Sequence, residues 1–103
     1  MWYISVMEIN TTRYGLCLVE LGTHMNNGNL YVSLVHECGE PIADISKNII
    51  PLIAKDEFCA NIFNISESLW SDIMASGYFE STGENVASGY CDYPIYKLVK
   101  QVA

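Results

Sequence analysis

The chain has 103 residues, half of them hydrophobic, which is enough for one domain with its own core. Its formal net charge of −7, from 12 acids against five Lys and Arg, argues against direct nucleic-acid binding, because that function needs basic side chains along the phosphates. No run approaches the roughly 20 apolar residues of a membrane helix, and "MWYISVMEIN" has no signal-peptide pattern, so we expect a cytoplasmic protein.

The first 63 residues predict short strands joined by turns. Asn27-Gly28 is a strong hairpin signal because both residues tolerate positive φ, and Gly39 and Pro41 mark the next turn. Such a series of strands is typical of an antiparallel meander. Runs rich in β-branched and aromatic residues place the strands at 2–9, 16–21, 30–35, 42–49 and 57–63.

One helix is expected, over about 67–76. Ser66 suits its N-cap, Ile65 and Trp70 occupy the positions of a hydrophobic staple, and Gly77 suits the left-handed residue just past its end. Leu69, Trp70, Ile73 and Met74 form one apolar stripe, which indicates a core contact.

Residues 77–92 are rich in Gly, Ser and acids and predict a connecting segment, after which a closing strand is expected from Tyr93. Because proline cannot donate a ladder hydrogen bond, Pro94 indicates that it lies at the start of this strand or that the strand lies at a sheet edge. Alternation puts Tyr93 and Tyr96 on opposite faces, one in the core and one at the surface. The predicted fold of the single domain 1–103 is α+β: an antiparallel meander of five to six strands with one helix packed on one face.

Metal and cofactor sites are not expected. The four cysteines are far apart, without a C-x-x-C pair, and the nearest approach to zinc-ligand spacing is His36-x-Cys38. Cys91 is the first candidate for a nucleophile, although the neighbouring Asp92 opposes formation of a thiolate. No nucleophile elbow or P-loop occurs. The cysteines are Cys17, Cys38, Cys59 and Cys91.

Charge is concentrated in one segment. Residues 56–96, called the acidic segment below, contain seven acids and no Lys, Arg or His, whereas the rest of the chain has five acids and five Lys and Arg. A surface of one sign steers association with a partner of the opposite sign, although net charge also serves solubility alone. The candidate protein-binding residues on this acidic face are Glu67, Asp72, Glu80, Glu84, Tyr90 and Asp92.

Two stretches, "NGNLYVSLVHECGEPIADISKNI" (27–49) and "STGENVASGYCDYPIY" (81–96), resemble a domain-of-unknown-function family of small proteins from gut bacteria and their mobile elements. The resemblance implies an antiparallel sheet with one helix and, by association, a role against host defence. The chain departs from the family pattern at 46–48 and 61–64. The matching positions are Asn27, Gly28, Leu30, Glu40, Pro41, Asn48, Thr82, Gly83, Ser88, Gly89, Tyr90, Tyr93, Pro94 and Tyr96.

These observations favour a non-enzymatic protein-binding module with an acidic contact face. Its expected partner is a protein with a basic, nucleic-acid-binding surface, such as a nuclease or a CRISPR effector, so that the chain would act as an anti-CRISPR or anti-restriction inhibitor. Two alternatives stay open: a small enzyme that uses Cys91 or a pair of carboxylates, and a structural domain that self-associates, as a homodimer for example, through the edge near Pro94.

Overall fold

The computed structural model describes residues 7–25, 27–52 and 54–99. Its strands form two four-stranded antiparallel sheets, in the orders β1-β2-β3-β4 and β5-β6-β8-β7. The first sheet comprises β1 (Glu8–Thr11), β2 (Gly15–Thr23), β3 (Leu30–His36) and β4 (Pro41–Asp44). The second comprises β5 (Ser46–Lys47), β6 (Glu57–Ala60), β7 (Phe79–Ser88) and β8 (Cys91–Leu98). A 3-10 turn at Ile62–Asn64 precedes helix α1 (Glu67–Ala75).

The α+β class is confirmed, but the prediction of five to six strands was wrong: the described residues form eight strands. The predicted strand 42–49 divides at Ile45, where the chain leaves β3 and joins β6 as β5. The Ile45 side chain is fully buried at this corner. The predicted connecting segment 77–92 contains strand β7 and the turn into β8. Of the first predicted strand, residues 2–6 lie outside the described part of the chain.

The main core lies between the two sheets and α1. Its side chains come from the faces of both sheets that point inward. Full burial of a side chain such as Phe58 contributes about 2–3 kcal/mol to the free energy of folding. The buried members are Met7, Ile9, Cys17, Val19, Val32, Leu34, Ile45, Phe58, Ala60, Ile65, Leu69, Ile73, Tyr78 and Phe79.

Helix α1 follows the sequence prediction closely. The Ser66 hydroxyl accepts a hydrogen bond from the amide of Leu69 at 3.2 Å, which confirms the N-cap. Gly77 has φ of +78° just past the helix end, as expected. Leu69 and Ile73 are buried. Because these local signals agree with the burial of one helix face, a nine-residue helix forms here.

The helix connects the open edges of the two sheets, since it packs against both β1 and β7. The Asp72 carboxylate accepts hydrogen bonds from the Thr12 amide at 2.8 Å and the Thr12 hydroxyl at 3.2 Å. Just beyond the helix, the Tyr78 hydroxyl accepts one from the Glu8 amide at 3.1 Å. The Glu8 amide at the edge of the first sheet and the Thr12 amide in the following turn are therefore satisfied by side chains on or next to α1.

The other face of the second sheet carries a smaller apolar cluster of Cys59, Val86, Tyr93 and Ile95. Ile49 and Leu52, from the segment that connects β5 to β6, pack over it. Tyr93 and Tyr96 do lie on opposite faces, but the expectation that one is at the surface was wrong. Tyr93 is buried in this smaller cluster and Tyr96 packs, half-buried, against the main core, because both faces of the second sheet are covered.

Pro94 lies inside β8 rather than at its start. The β6–β8 pairing ends at the pair Cys59–Ile95, so Pro94, the residue just before Ile95, has no partner on β6. On that side Pro94 faces no neighbouring strand, so its missing amide hydrogen leaves no ladder bond unmade.

Candidate functional site

A concave apolar surface lies where the 3-10 turn, the start of α1 and β8 meet. It is called the aromatic groove below and has a volume of about 410 Å³, within the range of ligand and peptide sites in proteins. Its lining residues are Ile62, Phe63, Ile65, Glu67, Trp70, Ser71, Pro94 and Tyr96.

The groove follows from two local arrangements. The N-cap at Ser66 starts α1 directly after the 3-10 turn, so Phe63 from the turn and Trp70 from the helix line one side of the groove. Strand alternation in β8 places Pro94 and Tyr96 on one face, and they line the other side.

Aromatic packing holds these walls in place. The Trp70 and Tyr96 rings meet edge to face, with centroids 5.3 Å apart at 87°. The Phe63 ring meets Tyr93 in the same way, at 5.2 Å and 90°. Edge-to-face pairs of this kind contribute about 0.5–1.5 kcal/mol beyond the area they bury. Phe63 nevertheless remains 55 % exposed, so a large apolar surface is open to solvent beside the groove.

The groove has negatively charged surroundings. Glu67, in the first turn of α1, is exposed and lines it. All of the groove's lining residues belong to the acidic segment 56–96, in which no Lys, Arg or His occurs. Asp92 lies on the same face of β8 as Pro94 and Tyr96, towards the β7–β8 turn.

The structure brings only some of the predicted acidic-face residues together. Glu67 lines the groove, whereas Asp92 shares only the face of β8 on which Pro94 and Tyr96 lie. Asp72 is half-buried and fixed by its two hydrogen bonds to Thr12. Its carboxylate therefore serves to join α1 to the turn between β1 and β2.

Glu80 lies on the opposite face of the second sheet from Asp92. It is directly across from Lys97, which is itself across from Glu57 on β6. Residues paired across a ladder have their side chains on the same side of the sheet, so Glu80 shares a side with Lys97. Lys97 and Asp92 are an odd number of residues apart on β8, so their side chains point to opposite sides. Glu84 lies in the bulge of β7, and Tyr90 is fully exposed in the turn between β7 and β8.

Sequence reasoning missed the groove itself. The apolar stripe containing Trp70 was interpreted as a core contact, and Tyr96 and Pro94 as strand residues. The available signal was the coincidence of eight aromatic residues in the acidic segment: Phe58, Phe63, Trp70, Tyr78, Phe79, Tyr90, Tyr93 and Tyr96. Nothing in that spacing indicates which of these rings line one cavity.

The candidate nucleophile Cys91 is partly buried and packs against the smaller cluster. Among the described residues, it is Cys38 and not Cys91 whose thiol contacts an imidazole: the distance from Cys38 Sγ to His36 Nδ1 is 3.0 Å, at the exposed turn after β3. His24 packs edge to face on Tyr31 at 5.4 Å. These positions give Cys91 no recognisable general base.

The remaining thiols are buried. Cys17 and Cys59 are 0 % and 1 % exposed, and burial raises the pKa of the Cys59 thiol, which disfavours its reactive thiolate. Within residues 7–25, 27–52 and 54–99, no three His, Cys, Asp or Glu side chains come together in a way that could hold a metal ion.

Known protein families, curated proteins and solved structures were each compared with the chain, and none matches it. The resemblance to small proteins of gut bacteria and mobile elements therefore stays a prediction. In the described part of the chain, no helix has both the length and the apolarity needed to cross a membrane.

Proposed function

We propose that the protein is a non-enzymatic, acidic protein-binding module of the cytoplasm. Its partner is a protein with a basic, nucleic-acid-binding surface, such as a host nuclease or CRISPR effector, which the module would occupy and inhibit. The single observation that carries this proposal is the placement of the acidic segment. Five of its seven acids fall on α1, β7 and β8, where β7 pairs with β8 and α1 packs against β7. Lys97, just past the acidic segment, is the base that β8 carries.

The exposure of these carboxylates supports the proposal. Glu67, Glu80, Glu84 and Asp92 are all exposed, and among the described residues none of them makes an ion pair within the chain. A set of free carboxylates attracts a basic surface over the distance of the screening length, about 8 Å at physiological salt. It therefore raises the association rate with such a partner more than it raises the final affinity.

The test begins with the immobilised protein in a lysate that contains active nucleases and CRISPR effectors. We expect a nucleic-acid-binding protein to be retained at about 50 mM NaCl and released at about 500 mM. The purified partner's affinity for the triple variant Glu80→Gln, Glu84→Gln, Asp92→Asn is then measured against salt. We expect roughly tenfold weaker binding, since exposed charge pairs contribute about 0.2–1 kcal/mol each, and a flatter salt dependence.

The matched control removes three exposed carboxylates from outside the acidic segment: Glu20→Gln, Glu37→Gln, Glu40→Gln. Both triple variants change the net charge by the same amount, so a specific acidic face predicts a loss of affinity for the first variant only. Equal affinity of both variants and the unchanged protein, with the fold intact by circular dichroism, would contradict the proposal.

A further inference from the structure

We propose that the aromatic groove is the anchor site for a partner segment in which an Arg or Lys stands next to an aromatic or large aliphatic side chain. This inference rests on the proposed function and names the chemistry that the acidic module recognises. The apolar side chain would fill the groove between Phe63 and Tyr96, and the cation would meet Glu67 at its border.

The apolar half of this chemistry follows from Phe63. It is a large hydrophobic side chain, 55 % exposed, held by Tyr93 at 5.2 Å. Covering the exposed part of a phenylalanine contributes on the order of 1 kcal/mol, and the contact with Tyr93 reduces the conformational entropy that the Phe63 ring loses on binding. Buried aromatic anchors in preformed concave sites are the usual centres of binding energy in protein interfaces.

The basic half follows from charge. Glu67 lines the groove and makes no ion pair among the described residues, while Lys47, the base beside the Phe63–Tyr93 pair, lies over the Tyr93 ring at 5.7 Å. An acidic or neutral ligand would gain nothing from this carboxylate, whereas a guanidinium can both pair with it and stack on an aromatic ring. Arg is therefore the expected cation in preference to Lys.

A second copy of this chain is a poor occupant. Two copies would bring together net charges of −7 each, and like charges across an interface oppose association. Three of the four described bases of the chain also have contacts within it: Lys47 lies 5.7 Å from the Tyr93 ring centroid, Arg13 lies 5.6 Å from that of Tyr14, and Lys55 donates to the Leu52 carbonyl at 3.3 Å. A basic segment of a different protein fits the groove better.

The experiment selects peptides from a random display library on the intact protein. We expect enrichment of sequences that place Arg or Lys within two residues of an aromatic or large aliphatic side chain. The best enriched peptide is then synthesised, and its affinity is measured for four variants by isothermal calorimetry. Enrichment of peptides without a basic residue, or no enrichment at all, would overturn the proposal.

Phe63→Ser should weaken that peptide about tenfold, the loss typical of a central anchor. Glu67→Gln should weaken it about threefold and remove the preference for Arg over a neutral isostere, because it deletes only the charge. Tyr14→Ser removes a comparably exposed aromatic side chain far along the sequence from the groove and should leave the affinity unchanged. Trp70→Phe preserves an aromatic wall and should retain most of the affinity.

Failure of this inference is distinguishable from failure of the proposed function. If the acidic triple variant loses the protein partner while Phe63→Ser and Glu67→Gln keep it, the acidic face stands and the groove is not the anchor. If Phe63→Ser loses peptide and partner while the triple variant keeps the partner, the groove binds and the electrostatic proposal falls. If none of the variants loses the partner, both ideas fall.

Discussion

At the residue scale, the Asn29 side chain makes three hydrogen bonds that join two distant segments of the chain. It is 4 % exposed and joins the β2–β3 connection to the segment that covers the smaller cluster. Its amide nitrogen donates to the Asn48 side chain at 3.0 Å and to the Ile50 carbonyl at 2.6 Å, and its oxygen accepts from the Leu52 amide at 2.9 Å. A side chain that satisfies this many buried groups is costly to remove.

We expect Asn29→Ala to lower the free energy of unfolding by about 2 kcal/mol, because it leaves the partly buried Ile50 carbonyl and Leu52 amide without their partner. Urea unfolding measures this change. Hydrogen exchange at the Leu52 amide should also become faster, since its acceptor is gone. The control is Asn10→Ala, at an exposed position of β1, which should change stability by less than about 0.5 kcal/mol. Equal effects of the two variants would contradict this role of Asn29.

At the scale of the element, β7 shows why a strand can escape sequence-based prediction. Between the pairs Ser81–Tyr96 and Asn85–Pro94, the three residues 82–84 of β7 face Ile95 alone. The Thr82 hydroxyl donates to the Ile95 carbonyl at 2.8 Å, and Gly83 adopts φ of +83°. This bulge interrupts the two-residue alternation that identifies strands. It also lies on an edge strand, where bulges discourage pairing with other chains.

Gly83→Ala should lower the free energy of unfolding by about 1 kcal/mol, because a side chain is strained at this φ although open space surrounds the position. Gly22→Ala, in β2, is the matched control: its φ lies outside the left-handed range and an added Cβ would meet Tyr31 at an ordinary 3.7 Å. We expect it to be neutral or slightly stabilising. Thermal unfolding of both variants decides the point, and an undisturbed Gly83→Ala would show that the bulge does not require glycine.

At the scale of the whole molecule, the concentration of acids has an energetic cost. The molecule measures 36 × 34 × 22 Å, and the screening length of about 30 Å at about 10 mM salt is comparable to these dimensions. At low salt the carboxylates therefore repel one another across the fold. At about 150 mM salt the screening length is about 8 Å, which confines this repulsion to near neighbours.

We therefore expect the Tm to rise by roughly 5 °C between about 10 and 150 mM NaCl, which corresponds to about 1 kcal/mol for a chain of this length. The triple variant Glu80→Gln, Glu84→Gln, Asp92→Asn, whose net charge is −4 instead of −7 because three carboxylates are removed, should show a smaller rise. Scanning calorimetry at several salt concentrations tests this. A Tm that is constant or falls over this range would show that the acids do not destabilise the fold.

Local features of the fold could be predicted well from the sequence. The helix, its cap at Ser66 and its end at Gly77 depend on neighbours within a few residues, and β2 and β3 are rich enough in apolar and β-branched residues to be recognised. The acidic segment is a property of the sequence alone. Strand β7 was not recognised, because its bulge and its polar edge position mask the alternation.

Only the tertiary structure decided which surfaces these elements share. The division of one strand at Ile45 depends on two different partners, β3 and β6, that no local pattern specifies. Tyr93 is buried because a separate segment, held by Asn29, covers its side of the sheet. The aromatic groove likewise joins Phe63 and Trp70 to Pro94 and Tyr96, residues that are distant in the chain and meet only because β8 pairs beside β6. Long-range pairing is a cooperative property of the whole core, so the sequence determines the elements and the charge, and the packing determines the site.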